Sequence, residues 1–266
     1  MKKILFVLCL IFISLTITSC KKDEKTIVVG ATASPHGEIL QFARQYVEEK
    51  GYKLEIKIFE DYTTPNLSLE DGSIDANYFQ HLPYLKSFNK DNKTNLVSVA
   101  KIHYEPLALY GKNVSSLENA GKTIIIPNDD SNGSRALILL AENNLITLKD
   151  NVDLNGSITI YDVVDFKGYT IEQADASLIP NLYLSGNNGL LCVINGNYAL
   201  EASISIDTAL MQEGASSQSA NKYANILACK EEDKNSEKIQ ILVDVLTSEV
   251  VKNYISSTYK GAVLPL

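Results

Sequence analysis

The hydrophobic pattern of this chain switches repeatedly between a strand period and a helix period, and that alternation limits the folds open to it. Thr26–Ala31 is a β-branched apolar run. Residues 37–50 then place Ile39, Leu40, Ala43 and Val47 on one helical face, closing at Gly51. Leu54, Ile56 and Ile58 alternate with polar residues, as a half-buried strand does. Residues 74–79 predict another strand and 82–88 a helix. Residues 122–127 read as a central strand feeding a helix over 132–143, whose stripe is Ala136, Leu137, Leu140 and Ala141. Strands follow at 189–195 and 224–230, and 236–260 predicts two helices around Thr247-Ser248. Such alternation implies an α/β protein of parallel sheets covered by helices on both faces. The length suits two lobes, with the final helices returning to the first. Ligands of such sheets bind outside the carboxyl ends of strands, often between lobes.

The first residues set the compartment. Lys2 and Lys3 precede an apolar stretch, residues 4–18, that ends in Ile17-Thr18-Ser19-Cys20. The stretch is too short for a spanning helix and reads as a secretory signal. The cysteine at the cleavage point resembles a bacterial lipobox, which predicts a signal peptide over 1–19, acylation at Cys20 and a lipidated tether over 20–26. Ordinary secretion with an incidental cysteine is the plainer alternative. The expected location is the cell envelope, with the protein held to a membrane by lipid. The net charge is −8, two units more negative once Lys2 and Lys3 leave, which argues against a nucleic-acid partner. Of the four cysteines only Cys192 and Cys229 then remain in the body, both in apolar runs. They read as buried thiols, although an oxidising compartment permits a disulfide.

No reactive constellation is evident. The chain has no G-x-S-x-G elbow, P-loop, G-x-G-x-x-G or C-x-x-C, so no enzyme activity and no cofactor is expected. His36, His81 and His103 are the only histidines, far apart and without metal-ligand spacing. A metal-binding receptor using all three is the alternative to a polar role in a ligand pocket. Only two arginines occur. Arg44 lies on a predicted helix and reads as a surface residue. Arg135 sits at a strand-to-helix junction, where a planar fork beside backbone donors suits a carboxylate. The plainer reading pairs it with Asp129 or Asp130.

Several long motifs carry a resemblance. Val29-Gly30-Ala31-Thr32 and Pro35-His36-Gly37-Glu38-Ile39-Leu40 open it, followed by Asp61-Tyr62-Thr63-Thr64-Pro65-Asn66. Asp75-Ala76-Asn77-Tyr78-Phe79-Gln80-His81, Pro83-Tyr84-Leu85 and His103-Tyr104-Glu105-Pro106 continue it. Asn132-Gly133, Arg135-Ala136-Leu137, Val193-Ile194-Asn195-Gly196-Asn197-Tyr198 and Tyr223-Ala224-Asn225 complete the order. Together they resemble the NlpA lipoproteins, the methionine-binding lipoproteins of ABC importers. The resemblance implies a two-lobed periplasmic-binding-protein fold, type II-like, with lobe 1 formed by 27–108 plus 228–266 and lobe 2 by 109–227. It implies capture of methionine, L-methionine first, with D-methionine, a methionine-containing dipeptide or another small amino acid as alternatives, for an ABC permease and its ATPase. By position, Tyr62, Phe79, His81 and Tyr84 line the side-chain pocket and Arg135 grips the carboxylate. Asn132, Asn195 and Asn225 stand near the ligand's backbone groups, and His103 and Glu105 belong to a matching motif. Two departures stand out. The usual Asn-Asp-Pro-Thr-Asn-Gly-Gly-Arg run is Asn128-Asp129-Asp130-Ser131-Asn132-Gly133-Ser134-Arg135, and Asn221-Lys222 replaces a common Ser-Pro.

Overall fold

The computed structural model describes residues 24–154, 157–214 and 217–266. The expected signal peptide and the lipidation site Cys20 lie outside these residues. No described helix is long and apolar enough to cross a membrane.

The opening apolar run forms β1 (Thr26–Ala31), buried throughout, and α1 (Glu38–Glu48) turns Ile39, Leu40, Ala43 and Val47 onto it. β2 (Lys53–Ile58) pairs parallel to β1 at the sheet edge, which leaves Ile58 51 % exposed. α2 (Thr64–Glu70) leads to β3 (Ala76–His81), and α3 (Leu82–Asn92) starts directly after it. β4 (Leu96–Tyr104) completes this part of the first sheet. The chain then crosses through residues 105–107 into β5 (Ala108–Gly111) of a second sheet.

The second lobe continues with β6 (Thr123–Pro127) and α4 (Asp130–Glu142). A small antiparallel pair, β7 (Thr147–Leu148) and β8 (Val163–Asp165), precedes β9 (Thr170–Ala174) and α5 (Ile179–Ser185). β10 (Leu191–Ile194), α6 (Gly196–Glu201) and β11 (Ala209–Gln212) complete it. After α7 (Ser217–Lys222) the chain returns. β12 (Asn225–Lys230) inserts between β3 and β4 of the first sheet. α8 (Glu237–Leu246) and α9 (Glu249–Tyr259) then pack beside α1, and β13 (Leu264–Pro265) pairs with β4. The sheet orders are β13-β4-β12-β3-β1-β2 and β11-β5-β10-β6-β9.

The sheets are mixed rather than parallel. β1 pairs parallel with β2 and β3, and β6 with β9 and β10, but β12 runs antiparallel to both its neighbours and β5 to both of its own. A parallel neighbour needs a helical crossover, whereas a segment arriving from the other lobe can pair in the opposite direction. The expected divisions at 108/109 and 227/228 would cut β5 and β12, yet each strand lies whole in one sheet. The expected divisions fall inside the apolar runs Leu107-Ala108-Leu109 and Ile226-Leu227-Ala228, where the sequence carries no break. The strand expected at 74–79 is shifted to Ala76–His81, which makes His81 its last residue. Cys192 in β10 and Cys229 in β12 are free, buried and in different sheets, so they form no disulfide with each other. Arg44, expected on the surface, is half-buried, and its Nε is an unpartnered buried donor.

Candidate functional site

A partly open pocket, with about 330 Å³ of empty space when its open solvent is included, lies between the carboxyl ends of the first-sheet strands and the starts of α4 and α6. Local structure explains how side chains are aimed into it. Asp129 caps α4 by accepting the Asn132 backbone N–H at 2.9 Å, and its carboxylate also takes Asn132 Nδ2 at 3.1 Å on each oxygen. A carboxylate only accepts here, so Asn132 Oδ1 must point away from Asp129. Gly133 is required beside it, because a Cβ there would lie 2.9 Å from the Pro127 carbonyl oxygen. Ser134, standing where a second glycine is usual, accepts the Ile158 N–H at 2.9 Å and keeps the loop packed against the helix.

Asn132 Oδ1 joins the lobes. It accepts Asn195 Nδ2 at 2.9 Å and His81 Nε2 at 3.1 Å. His81 caps α3, its Nδ1 accepting the Tyr84 N–H at 3.2 Å, so its proton sits on Nε2. Burial lowers the His81 pKa to about 4, and the ring is neutral at pH 7. With Asn195 Nδ2 committed, Asn195 Oδ1 is a buried acceptor without a partner. Asn197 Nδ2 is a buried donor in the same condition, its Oδ1 taking the Tyr62 hydroxyl at 2.5 Å. Unpaired buried polar atoms are rare and call for an occupant.

Aromatic rings wall the adjoining side. Tyr62 stacks on Tyr198 at 4.8 Å between centroids, meets Tyr84 edge-on at 5.6 Å and lies 5.7 Å from Phe79. Tyr62, Phe79 and Tyr84 belong to the first lobe and Tyr198 to the second, so the stack spans the cleft.

The charges are unusual. Arg135 donates from Nε to Glu213 Oε1 at 2.6 Å, from Nη2 to Glu213 Oε2, and from Nη2 to the Glu105 carbonyl at 2.7 Å. Its partner is therefore Glu213, neither Asp129 nor Asp130. The Nη1 donors take no part in these bonds. Glu105 lines the cavity with its carboxylate against Gly196, where a Cβ would fall 2.8 Å from Glu105 Cβ. Burial raises the Glu105 pKa, an effect that the nearby His36, Arg135 and the Asn197 backbone N–H oppose. His103 does not line the cavity. It stands behind Glu105, its Nε2 2.6 Å from Glu105 Oε1 and its Nδ1 bonded to the Tyr78 hydroxyl. Asn225 Oδ1 accepts His36 Nε2 at 2.9 Å, and His36 Nδ1 accepts the Thr32 hydroxyl at 2.7 Å. Desolvation lowers His36 to about 4 and His103 to about 3. Both shifts favour the neutral rings at pH 7.

The three histidines do not converge as a metal site would require. His36, His103 and Glu105 present ligand atoms within 4.8 Å of one another, while His81 is bonded elsewhere, to Asn132. Every nitrogen of His36 and His103 already has a hydrogen-bond partner. The group is a satisfied polar network under the cavity floor.

Of the residues singled out from the sequence, Tyr62, Phe79, His81, Tyr84, Asn132, Arg135, Asn195, Asn225 and Glu105 all line this one cavity. Asn197, Tyr198 and Glu213 were not singled out. Asn195-Gly196-Asn197 reads as a turn, and Glu213 lies in no motif.

The chain is similar to known proteins over most of its length. The chain is 36% identical over 250 residues to the methionine-binding lipoprotein MetQ of Bacillus subtilis, covering 92% of this chain and 90% of that protein. It superposes with a TM-score of 0.82, at 32% identity, on a nutrient-binding protein from Burkholderia cenocepacia bound to methionine, covering 90% of this chain and 99% of that one. A periplasmic substrate-binding protein of an ABC transporter from Coxiella burnetii gives 0.81 at 35% identity, covering 90% and 100%. The family model of the NlpA lipoproteins matches residues 27–266, nearly everything after the charged tether, and the chain belongs to that family.

Proposed function

We propose that this protein is the lipid-anchored substrate-binding component of an ABC importer, and that its cavity captures methionine, with L-methionine as the leading ligand. The observation that carries the reading is the pairing of unspent polar atoms with an aromatic box. Arg135 Nη1 supplies donors for a carboxylate, while Asn195 Oδ1 and the Glu105 carboxylate supply acceptors for an ammonium. A zwitterion buried between lobes needs both charges met, since an unpaired buried charge is expensive. Beside these groups, Tyr62, Phe79 and Tyr84 offer ring faces and edges to a thioether. The relatives described as methionine-binding, methionine-bound and ABC-transporter proteins support the same ligand and context. Acylation of Cys20 would tether the body to the membrane surface, where a permease and its ATPase receive the ligand. The protein binds and releases its ligand unchanged.

Calorimetric titration of the full chain in detergent, stripped of carried-over ligand by unfolding and refolding, tests this. L-methionine, D-methionine and glycyl-methionine are injected separately. The expected result is one site, with a dissociation constant from about nanomolar to low micromolar, or about −12 to −8 kcal/mol. No heat and no thermal shift with any of the three would refute the ligand assignment.

A further inference from the structure

We propose that Glu213 is a positioning residue for ligand capture: it aims the Arg135 guanidinium at the cavity and ties that aim to both crossings between the lobes. The proposal rests on the reading of Arg135 as the carboxylate clamp.

Glu213 stands immediately after β11, at the start of the second crossing. Its backbone N–H donates to the Leu107 carbonyl at 2.9 Å, and its Oε2 accepts the Leu107 N–H at 3.0 Å. Leu107 lies in the first crossing, so one residue stitches the two connecting segments together. The Tyr104 hydroxyl, at the end of β4, donates to the same oxygen at 2.8 Å. The carboxylate thus takes one donor from the crossing, one from the end of β4 and two from the guanidinium.

Arginine has five N–H donors in a rigid plane. Glu213 takes the Nε side of that plane and the Glu105 carbonyl takes the other Nη2 hydrogen. Only the two Nη1 hydrogens are left. The Tyr223 ring, 4.5 Å from Cζ, and the Tyr104 ring, 5.8 Å away, flank the plane and resist its rotation. A ligand carboxylate therefore meets donors that are already aimed, and ordering an arginine side chain on binding is largely avoided. The same bonds carry any shift of Arg135 to Leu107 and Tyr104, which lie in and beside the segment that connects the lobes.

The test compares L-methionine with L-methioninol, in which a hydroxymethyl group replaces the carboxylate, on the full-length native chain, Glu213→Gln and Glu213→Asp. A hydrogen bond between charged groups predicts that the native chain prefers methionine by about 10- to 100-fold. In Glu213→Gln that preference is expected to fall below about 3-fold, with methioninol affinity within about 3-fold of native. The amide of Leu107, measured by hydrogen exchange without ligand, should lose at least about 10-fold of its protection. Glu213→Asp keeps the charge that neutralises Arg135 but shortens its reach, and covers the case in which the glutamine variant does not fold. Its preference should fall by at least about 3-fold. Retention of the native preference in either variant overturns the proposal, as does an equal loss of both ligands, which marks a purely structural role. A native chain that binds both ligands alike overturns the clamp reading of Arg135 itself, and the proposal with it.

Discussion

Replacing Arg135 with Met keeps much of the apolar stem and removes the guanidinium. Glu213 is then left 9% exposed with its Tyr104 and Leu107 donors but without a countercharge. Breaking a buried pair from one side costs about 3–5 kcal/mol, and the two surviving donors place this case near the lower end. For a chain of this size, about 3 kcal/mol lowers the unfolding midpoint by roughly 6–12 °C. The pH dependence gives a sharper signature. In the native protein the neighbouring Arg135 holds the Glu213 carboxyl below its usual range despite burial. That contribution is present above the unfolded pKa, about 4.3, and is lost as pH falls through the depressed folded value. Without Arg135, burial prevails and the folded pKa moves above the unfolded one. The sign then reverses, and the penalty grows as pH rises through the raised value. The stability gap between native and variant should therefore be widest near about pH 7.5 and narrow toward about pH 5. Denaturant unfolding of the ligand-free proteins at both values measures it, with the double variant Arg135→Met/Glu213→Gln expected to recover at least about half the loss. A gap under about 1 kcal/mol, a gap that does not narrow in acid, or a double variant no better than the single would refute this reasoning.

Four further outcomes follow from the site. Glu105 has a folded pKa raised by burial, so its contribution to stability is present at low pH and lost as pH rises through that value. Glu105→Gln should make the ligand-free protein more stable near about pH 8 while weakening methionine binding about 10-fold, and a tighter-binding variant would sink the ammonium role. His36, His81 and His103, lowered to about 4, about 4 and about 3, stay neutral when folded, whereas the unfolded chain takes up protons below about 6.5. Stability should fall from about pH 6.5 toward about pH 4 by up to about 4 kcal/mol per pH unit for three protons, less what Glu105 returns, and a flat profile there would count against it. Tyr62→Phe removes the hydroxyl bond to Asn197 but keeps the stack on Tyr198, so affinity should drop about 3- to 10-fold with little change in melting temperature. Zinc should leave the melting temperature of the stripped protein unchanged, because His36 and His103 are already hydrogen-bonded, and a concentration-dependent rise would reopen the metal reading.

Much of this architecture is legible in the linear chain because it rests on local signals. The stripe of Ile39, Leu40, Ala43 and Val47 predicts α1, and all four side chains are buried. The break at Thr247-Ser248 separates α8 from α9 as expected. Where local signal is weak, structure is hidden. β4 interrupts its apolar residues with Ser98, Lys101 and His103 and shows no regular alternation, yet it is held in the sheet by pairing with β12, which lies about 125 residues later in the chain. Arg135 stands out as one of two arginines at a strand-to-helix junction, and the motif order points to Tyr62, Phe79, His81 and Tyr84 as its neighbours. Glu213 does not stand out, because nothing near it in sequence shows that it neutralises a residue 78 positions away.

The sequence by itself determined the alternation of strands and helices, the rarity of arginine and the motifs that place the chain in its family. Those properties depend on periodicity and residue type within short windows, and they survive any rearrangement of the lobes. The tertiary structure alone decided that Arg135 meets Glu213, that Asn132 points its carbonyl at both Asn195 and His81, and that Glu105 is buried against His36 and His103. Charge state, proton position and the direction of an amide depend on what lies within a few ångströms through space, and only the folded chain brings those groups together.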